Sequence, residues 1–247
     1  NQMVIVLVTS NGNTLACNGA CSGVATANAS GGIAPYNYTW TPAPTQNTQI
    51  ASGLCAGTHT VMVSDANGCS NMGTVNFVNP PAITLTVNKT DVTCNGSCNG
   101  SASAIANGGT GALSYLWQPG GMTTSSVSGL CPGNYSVTVS DINNCSQVQV
   151  ITITQSNSIT ATFTYTNPTS CVSANGVIAT TISGGIAPYT YTWMPGNSSA
   201  NPYTNLSAGN YSLNIKDAAG CTRTVVASLS SPTGATVSVV SNSISCF

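Results

Sequence analysis

Residues 113–141 read LSYLWQPGGMTTSSVSGLCPGNYSVTVSD, and three short strand patterns follow one another within them. Leu113, Tyr115 and Trp117 lie at alternate positions, and a Pro-Gly-Gly turn follows them. After a weaker pattern, alternation resumes from Tyr135 to Val139. Short period-2 runs separated by turn residues about every 8–12 positions are typical of an antiparallel sandwich. Because no stretch shows an apolar period of about 3.6 residues, we expect almost no helix.

The same pattern occurs three times in this chain of 247 residues. Cys17, Cys94, Cys171 and Cys246 open successive copies at intervals of 77, 77 and 75 residues. A fixed period of this length indicates one folding unit used repeatedly. We therefore predict an all-β chain of tandem immunoglobulin-like sandwiches that form an extended rod. The predicted units are modules 1, 2 and 3 at residues 1–80, 81–156 and 157–232, and the first strand of a fourth repeat at residues 233–247.

Charged side chains are rare, with three basic residues, four aspartates, one histidine and a net charge of −1. Only 3% of the residues are charged, against about one quarter in average soluble chains. This composition predicts binding neither to nucleic acid nor to an anionic membrane surface. The longest apolar run, Met3 to Val8, is too short to span a bilayer, so we expect no membrane insertion. The first residue is Asn rather than Met, which indicates a mature or excerpted chain.

The sequence contains no glutamate and no nucleophile–base set, so we predict that the protein is not an enzyme and needs no cofactor. Eleven cysteines at repeating positions indicate an oxidising, extracellular compartment instead. Cys94 and Cys98 have a spacing seen in zinc sites, but module 3 keeps only the first of this pair and has no histidine nearby. We therefore predict disulfides rather than a metal site.

One aspartate per module lies where a strand enters a hairpin, at Asp65, Asp141 and Asp217. Aspartate accepts hydrogen bonds from backbone N–H groups in such turns, so we interpret all three as turn residues. Calcium needs six to eight oxygen ligands, usually with several carboxylates, and one aspartate per module is too few.

The aromatic residues are interpreted as core residues. Each module has one tryptophan at the end of an alternating aromatic stretch, as in a buried third strand. These residues are Trp40, Trp117 and Trp193. Tyr135 and Tyr211 each follow a glycine by two residues at the start of the sixth strand of an immunoglobulin-like sandwich, where a tyrosine corner lies. His59 occupies this position in module 1. We therefore expect His59 to replace a structural tyrosine and to have no chemical role.

Two of the disulfides are predicted from the two cysteines that module 3 lacks. Modules 1 and 2 hold four cysteines each, whereas module 3 holds two. In module 3, Asn175 replaces Cys98, and Ser207 replaces Cys131. If two cysteines form a disulfide, a module that loses one of them is expected to lose the other as well. Both positions also lie at the same end of such a sandwich. The predicted pairs are Cys21–Cys55 and Cys98–Cys131.

The remaining cysteines leave two pairing schemes. Cys94 must lie within about 14 Å of Cys98, because only four residue steps separate them. Cys145 follows a strand that leads about 20 Å toward the opposite pole, at ~3.3 Å per residue, and a disulfide needs Cα atoms within about 7 Å. We therefore favour bonds from each module to the next, namely Cys17–Cys145 and Cys94–Cys221. The alternative within modules stays open: Cys17–Cys69, Cys94–Cys145 and Cys171–Cys221.

The predicted connectors are short: Asn79-Pro80-Pro81, Gln155-Ser156-Asn157 and Ser231-Pro232-Thr233. None is long enough to act as a flexible tether, and proline stiffens two of them. Two bridges per module could each contribute a few kcal/mol to stability. The Asn-Gly pairs at 95–96 and 99–100 are interpreted as turn formers.

Three motifs of module 1 are GGIAPYNYTW at residues 31–40, SGLCAG at 52–57 and VSDANGC at 63–69. They resemble the SprB repeat of very large surface adhesins in gliding Bacteroidota. Module 3 has GGIAPYTYTW at residues 184–193, and module 2 departs with Gly111-Ala112 in place of Ala-Pro. The resemblance covers essentially the whole chain. It implies an immunoglobulin-like or PKD-like module, type IX secretion, a place on the outer cell surface and no catalytic residues.

The leading functional hypothesis is a segment of the stalk of a long surface filament, attached to the outer membrane or secreted, whose main partners are the neighbouring repeats. A second hypothesis is glycan binding at candidate ligand loops around Tyr36 and Tyr189, because aromatic rings can stack on sugars. The modules could equally be spacers of a secreted multidomain protein. A fourth hypothesis is a filament subunit that donates the strand at residues 235–245 to another chain.

Overall fold

The computed structural model describes residues 3–42 and 45–231. The predicted first strand of a fourth repeat, at residues 233–247, lies outside the described residues. Within them the chain forms eighteen strands and no helix, so the expectation of an all-β fold is confirmed. No segment among these residues forms a helix long and apolar enough to cross a membrane.

Each module contains six strands. In module 1 they are β1 (Ile5–Ser10), β2 (Gly23–Ser30), β3 (Asn37–Thr41), β4 (Ile50–Leu54), β5 (Gly57–Ser64) and β6 (Ser70–Phe77). In module 2 they are β7 (Thr84–Thr90), β8 (Gly100–Asn107), β9 (Ser114–Gln118), β10 (Ser126–Leu130), β11 (Gly133–Ser140) and β12 (Ser146–Ile153). In module 3 they are β13 (Thr160–Thr166), β14 (Gly176–Ser183), β15 (Thr190–Met194), β16 (Tyr203–Leu206), β17 (Gly209–Lys216) and β18 (Thr222–Leu229).

The six strands of a module pair into two antiparallel sheets of three. In module 1 the orders are β1-β2-β4 and β3-β5-β6, and modules 2 and 3 repeat these orders with their own strands. These are strands A-B-E and C-F-G of an immunoglobulin sandwich, without strand D. The strand that carries Tyr135 is therefore the fifth of its module and not the sixth. This strand would be the sixth in an immunoglobulin sandwich with strand D. It is the fifth here because module 2 passes from strand C to strand E without forming strand D.

The tryptophans occupy one position in the paired strands. Trp40 lies opposite Val61, and Trp117 lies opposite Val137. In modules 1 and 2 the second strand turns alanines toward the interior, namely Ala25, Ala27, Ala102 and Ala104. These small side chains leave volume for the indole rings, whose large apolar area dominates the core.

After the first strand of modules 1 and 2, the chain crosses to the end of the last strand. Thr14 forms a parallel bridge with Val78, and Val92 forms one with Gln155. Leu15 N donates a hydrogen bond to Val78 O over 2.9 Å. The opening cysteine of each of these modules therefore lies close to the connector that leads to the next module.

By contacts the chain divides into two compact units. The first comprises the described residues within 1–89, 101–128 and 134–152, and includes all of module 1. The second comprises those within 90–100, 129–133 and 153–247, and includes all of module 3. The division at residues 80 and 156 that the repeat period suggests remains a prediction.

Candidate functional site at the module junctions

Four disulfides join cysteines among the described residues. Within a module, Cys21 bonds Cys55 and Cys98 bonds Cys131, with Cα atoms 3.9 Å apart in both. The other two join residues of different modules, with Cα separations of 5.6 and 5.4 Å. They are Cys17–Cys145 inside the first compact unit and Cys94–Cys221 inside the second.

The structure therefore contains the scheme that bonds each module to its successor, and Cys69 carries a free thiol. Cys17 lies beside the connector, at the pole of module 1 next to module 2. Cys69 follows β5, the strand that leads to the opposite pole. Cys17 thus meets Cys145 of module 2 and not Cys69 of its own module.

The receiving cysteine of each junction sits in a hairpin that an aspartate organises. Asp141 Oδ1 accepts hydrogen bonds from Asn143 N and Cys145 N, over 2.9 and 3.0 Å. Its Oδ2 accepts one from Thr110 N over 2.9 Å. The adjacent Gly109 has a φ of +68°, and a Cβ there would lie 3.1 Å from the Asp141 carboxylate, so glycine suits this close approach. One side chain thus fixes both the hairpin with the cysteine and the Gly-Gly loop.

The same arrangement recurs in the other modules. Asp65 accepts from Ile33 N, Asn67 N and Cys69 N over 2.9–3.1 Å. The third carboxylate, Asp217, accepts bonds from the backbone N–H groups of Ile186 and Cys221 over 3.0 and 2.8 Å. All three aspartates are buried, and they lie in the hairpin turns for which the sequence predicted them.

Two opposing effects act on the pKa of these carboxyls. Desolvation on burial raises the pKa of Asp65, Asp141 and Asp217, but the backbone N–H groups that donate to the ionised form lower it more. The pKa of each therefore lies below the usual 3.8. A carboxyl with a depressed pKa stabilises the folded state above the unfolded pKa, and this contribution is lost as the pH falls through the folded pKa.

We expect Asp141→Asn to lower the melting temperature of module 2 at neutral pH. The variant keeps an acceptor for Cys145 N but turns an amide NH2 group toward Thr110 N, where two donors oppose each other. The difference from wild type should shrink as the pH falls from about 7 toward about 2, because the wild-type carboxyl then becomes protonated. Thermal melts across this range test the prediction, and a difference independent of pH would contradict it.

Residues next to the opening cysteine of module 1 bind the connector. Asn18 Nδ2 donates to Pro80 O over 2.9 Å, and Gly19 N donates to Asn79 Oδ1 over 3.1 Å. Because both bonds join residues about sixty positions apart in sequence, they hold the start of the connector against the loop that carries Cys17. We call this pair of bonds the latch.

Module 2 repeats the latch with different side chains. Asn95 Nδ2 donates to Ser156 O over 3.1 Å, and Gly96 N donates to Gln155 Oε1 over 2.9 Å. The Asn-Gly pair that the sequence suggested only as a turn former therefore also holds the connector. The sequence does contain a signal for this contact. Cys-Asn-Gly recurs in modules 1 and 2, and the connector after each of these modules carries an amide side chain, Asn79 or Gln155. The amide contacts could not be inferred without knowing that the loop and the connector are adjacent.

Noncovalent contacts accompany the first junction bridge. Asn143 Nδ2 donates to Ala16 O over 3.0 Å. Thr110 and Asn143 of module 2 also line one cleft together with Leu15 and Ala16 of module 1. The bridge between modules 1 and 2 therefore lies within a polar contact and is not an isolated link.

The assignment of Asn175 to the position of Cys98 needs correction. Asn175 Oδ1 accepts from Thr169 N over 3.0 Å, and Asn99 Oδ1 accepts from Thr93 N over 3.2 Å in the same way. Asn175 therefore corresponds to Asn99. The loop between the first and second strands has the same length in modules 2 and 3, so Ala174 takes the place of Cys98. Ser170 O accepts from Ser173 N as Cys94 O accepts from Ser97 N, so Cys171 lies one position later in its loop than Cys94 does.

The predicted core residues differ in their burial. Trp40, Trp117 and Trp193 are at most 1% exposed. Tyr211 is buried, and its hydroxyl donates to Ser207 O over 2.8 Å. Tyr135 is only half-buried, because its ring lies at a shallow surface pocket beside Pro119 and Val150. It differs in this from the fully buried core residue that the sequence suggested.

His59 makes the contact that the tyrosine makes in module 3. Its Nε2 lies 2.9 Å from Cys55 O, four residues earlier, just as Tyr211 bonds the residue four positions before it. The ring is buried and packs edge-on against Phe77 at a centroid distance of 6.1 Å. This geometry supports a structural role for the histidine.

The candidate ligand tyrosines are engaged with their own modules. Tyr36 donates its hydroxyl proton to Gly31 O, and Tyr189 donates to Gly184 O over 2.6 Å. Both rings are partly buried against the hydrophobic core. The rings therefore support the Gly-Gly loops, and their faces are not fully open for stacking on a sugar. Among the described residues, no group of three or more His, Cys, Asp or Glu side chains is placed to hold a metal ion.

The family model of the SprB repeat matches residues 9–45, 86–122 and 162–198. Each module thus contains one segment similar to the SprB repeat. Each match begins in the first strand of a module and ends shortly after the tryptophan of the third strand. The SprB matches thus contain the opening cysteines, whereas the receiving cysteines follow in the second half of each module. No curated protein matches the sequence.

Two of the solved structures that the chain matches contain Ig domains. A chain from the complex of Dpr2 Ig1-Ig2 with DIP-Theta Ig1-Ig3 is 8% identical, with a TM-score of 0.31, and the alignment covers 92% of this chain and 99% of that one. The N-terminal eight Ig domains of Down Syndrome Cell Adhesion Molecule are 9% identical, with a TM-score of 0.33 and coverage of 92% and 48%. No function is carried over from either structure.

Proposed function

We propose that these modules form a segment of the stalk of a long extracellular adhesin, where they transmit tension and have no catalytic role. The observation that carries the proposal is the covalent path through the disulfides. Through three of the four disulfides, a pulling force can pass from module 1 to module 3 along two short stretches of backbone. The path runs through Cys17, Cys145, Cys131, Cys98, Cys94 and Cys221.

This path is short. Cys145 and Cys131 are fourteen residues apart and Cys98 and Cys94 are four apart, so eighteen residue steps of backbone remain in it. The backbone from Cys17 to Cys221 contains 204 steps. Tension can therefore unfold a module without drawing most of its chain into the load path, and this property suits a stalk.

The chemistry of the surface fits the same role. With 3% charged residues, the chain has little Coulomb energy for salt to screen, so its cohesion should change little with ionic strength. The latches add hydrogen bonds that hold two connectors against their loops. We propose accordingly that the segment is displayed at the cell surface after type IX secretion and serves in gliding motility or a related adhesion.

The rod shape expected from the short connectors is tested by small-angle scattering. We expect the oxidised chain to scatter as a straight rod and to lose stiffness when the disulfides are reduced. The cross-sectional signal of each module should persist if its fold survives reduction. The scattering of freely jointed beads under oxidising conditions would contradict the stalk proposal.

Glycan binding is separated from the stalk role by a glycan array with the whole chain. A silent array favours the stalk. Binding that disappears in a Tyr36→Ala, Tyr189→Ala double variant, but persists in the Phe variants, would assign it to the two aromatic rings. The rings and not the hydroxyls would carry the stacking, so the Phe variants are the matched control.

A further inference from the structure

The pole of module 1 that carries Cys69 has the features of a receiving junction without an occupant among the described residues. Cys69 is a free, partly accessible thiol, and its N–H is held by Asp65 as that of Cys145 is held by Asp141. Cys145 bonds an opening cysteine of another module. Cys221, at the same position in module 3, does so too.

A second feature of this pole also indicates a partner. Asn67 holds the place of Asn143, whose side chain donates to the carbonyl of Ala16, the residue before the opening cysteine. Asn67 is exposed, so its side chain amide is accessible to a similar carbonyl. Module 1 thus presents both the thiol and the amide that module 2 uses at its junction.

The apolar residues around this pole point the same way. Ile33 N donates to Asp65 as Thr110 N donates to Asp141, so Ile33 takes the place of Thr110. Thr110 lines the cleft at the junction between modules 1 and 2. Ile33 is 56% exposed, and Met3, which lies beside the Gly-Gly loop, is 74% exposed. Ile186, which donates its N–H to Asp217 at the bonded pole of module 3, is 47% exposed, so Ile33 is placed as a residue of a receiving pole.

We propose that this pole is a docking face for the Cys-Asn-Gly loop of a further module of the same repeat class, and that Cys69 forms a disulfide with the cysteine of that loop. The inference rests on the proposed stalk function, since it extends the series of Cys17–Cys145 and Cys94–Cys221. In forming the bond, the two thiols lose two protons and two electrons. A disulfide donor such as oxidised glutathione takes them up and is reduced to two thiols.

The test places a copy of residues 1–79 directly before Asn1 of the full chain. Met3 and Ala82 take the same place beside the Gly-Gly loops, so two residues then separate the copied Asn79 from Met3, as two separate Asn79 from Ala82. After refolding with oxidised glutathione, non-reducing peptide mapping should find Cys69 bonded to the added cysteine at the Cys17 position. Alkylation of Cys69, complete in the unextended chain, should be lost. A Cys69→Ser version of the extended chain should instead leave that added cysteine open to alkylation.

The outcomes separate the two ideas. If Cys69 is still alkylated in an extended chain that retains Cys17–Cys145 and Cys94–Cys221, the docking face is overturned and the stalk proposal stands. Absence of Cys17–Cys145 from the unextended chain overturns both.

A second measurement uses a peptide in place of the added module, so no added module has to fold. The peptide LACNGASS, which copies residues 15–22 with Cys21→Ser, is incubated with the full chain and oxidised glutathione. Mixed disulfide at Cys69 should form about fivefold faster than with a scrambled peptide, as one extra hydrogen bond of about 1 kcal/mol would give. Asn67→Ala should remove this preference. Equal rates for both peptides in the wild-type chain would overturn the proposal.

Discussion

Pulled by its ends, the oxidised chain should place no more than about 60 Å of extended backbone between Cys17 and Cys221. Eighteen residue steps lie on the shortest covalent path between these cysteines, at roughly 3.5 Å per step. Reduction should free all 204 steps and raise this length to about 700 Å. Single-molecule force spectroscopy measures the gain of about 650 Å directly.

Two variants of the same chain make the measurement specific. Cys98→Ser with Cys131→Ser reopens the backbone from Cys94 to Cys145, so the oxidised length should rise from about 60 to about 180 Å. Removing the bond between Cys21 and Cys55 should leave it unchanged, because the Cys17–Cys145 bond already bypasses that loop.

The wild-type length also tests how the modules are bonded. Pairing within modules would leave two free stretches of 25 and 26 residues between the bonded loops. The oxidised wild-type chain would then extend to about 180 Å rather than about 60 Å. That result would contradict bonding between modules.

Trp117→Ala should lower the free energy of unfolding of module 2 by about 3–5 kcal/mol. The side chain is fully buried, and its Nε1 donates to Thr124 O over 3.0 Å. Because each module holds a single tryptophan, fluorescence cannot follow the variant. Amide hydrogen exchange in peptides from β11 measures its opening free energy instead. A loss below about 1 kcal/mol would contradict a core role.

The phenylalanine variants of two tryptophans give a matched comparison. Trp193 Nε1 has no hydrogen-bond partner among the described residues, although its ring stacks on Tyr203 at 5.5 Å. Trp193→Phe removes an unsatisfied buried donor, whereas Trp117→Phe removes a satisfied one. We expect Trp117→Phe to cost about 1–2 kcal/mol more than Trp193→Phe. Equal costs would show that the indole N–H groups do not matter.

Local rules account for what could be predicted of a single module. Alternation along Leu113–Trp117 and the Pro-Gly-Gly turn after it act over a few residues, and the strand Ser114–Gln118 lies there. The absence of strand D could not be seen, because the polar stretch before Ser126 carries no alternation that distinguishes a strand from a loop. Cys171 misled the alignment by one residue at Asn175, because it lies one position later in its loop than Cys94 does, and only the hydrogen bonds of the loop reveal this shift.

The repeat period, the strand pattern and the near absence of charge follow from the order of residues alone, because each depends on spacing along the chain. The partner of Cys17 follows only in part, since strand lengths favour Cys145 over Cys69 but do not exclude Cys69 until the poles of the sandwiches are known. The latches and the bonds from the aspartates to the Gly-Gly loops are likewise decided only by the tertiary structure. They depend on which loops meet in space, and folding of the whole sandwich brings those loops together.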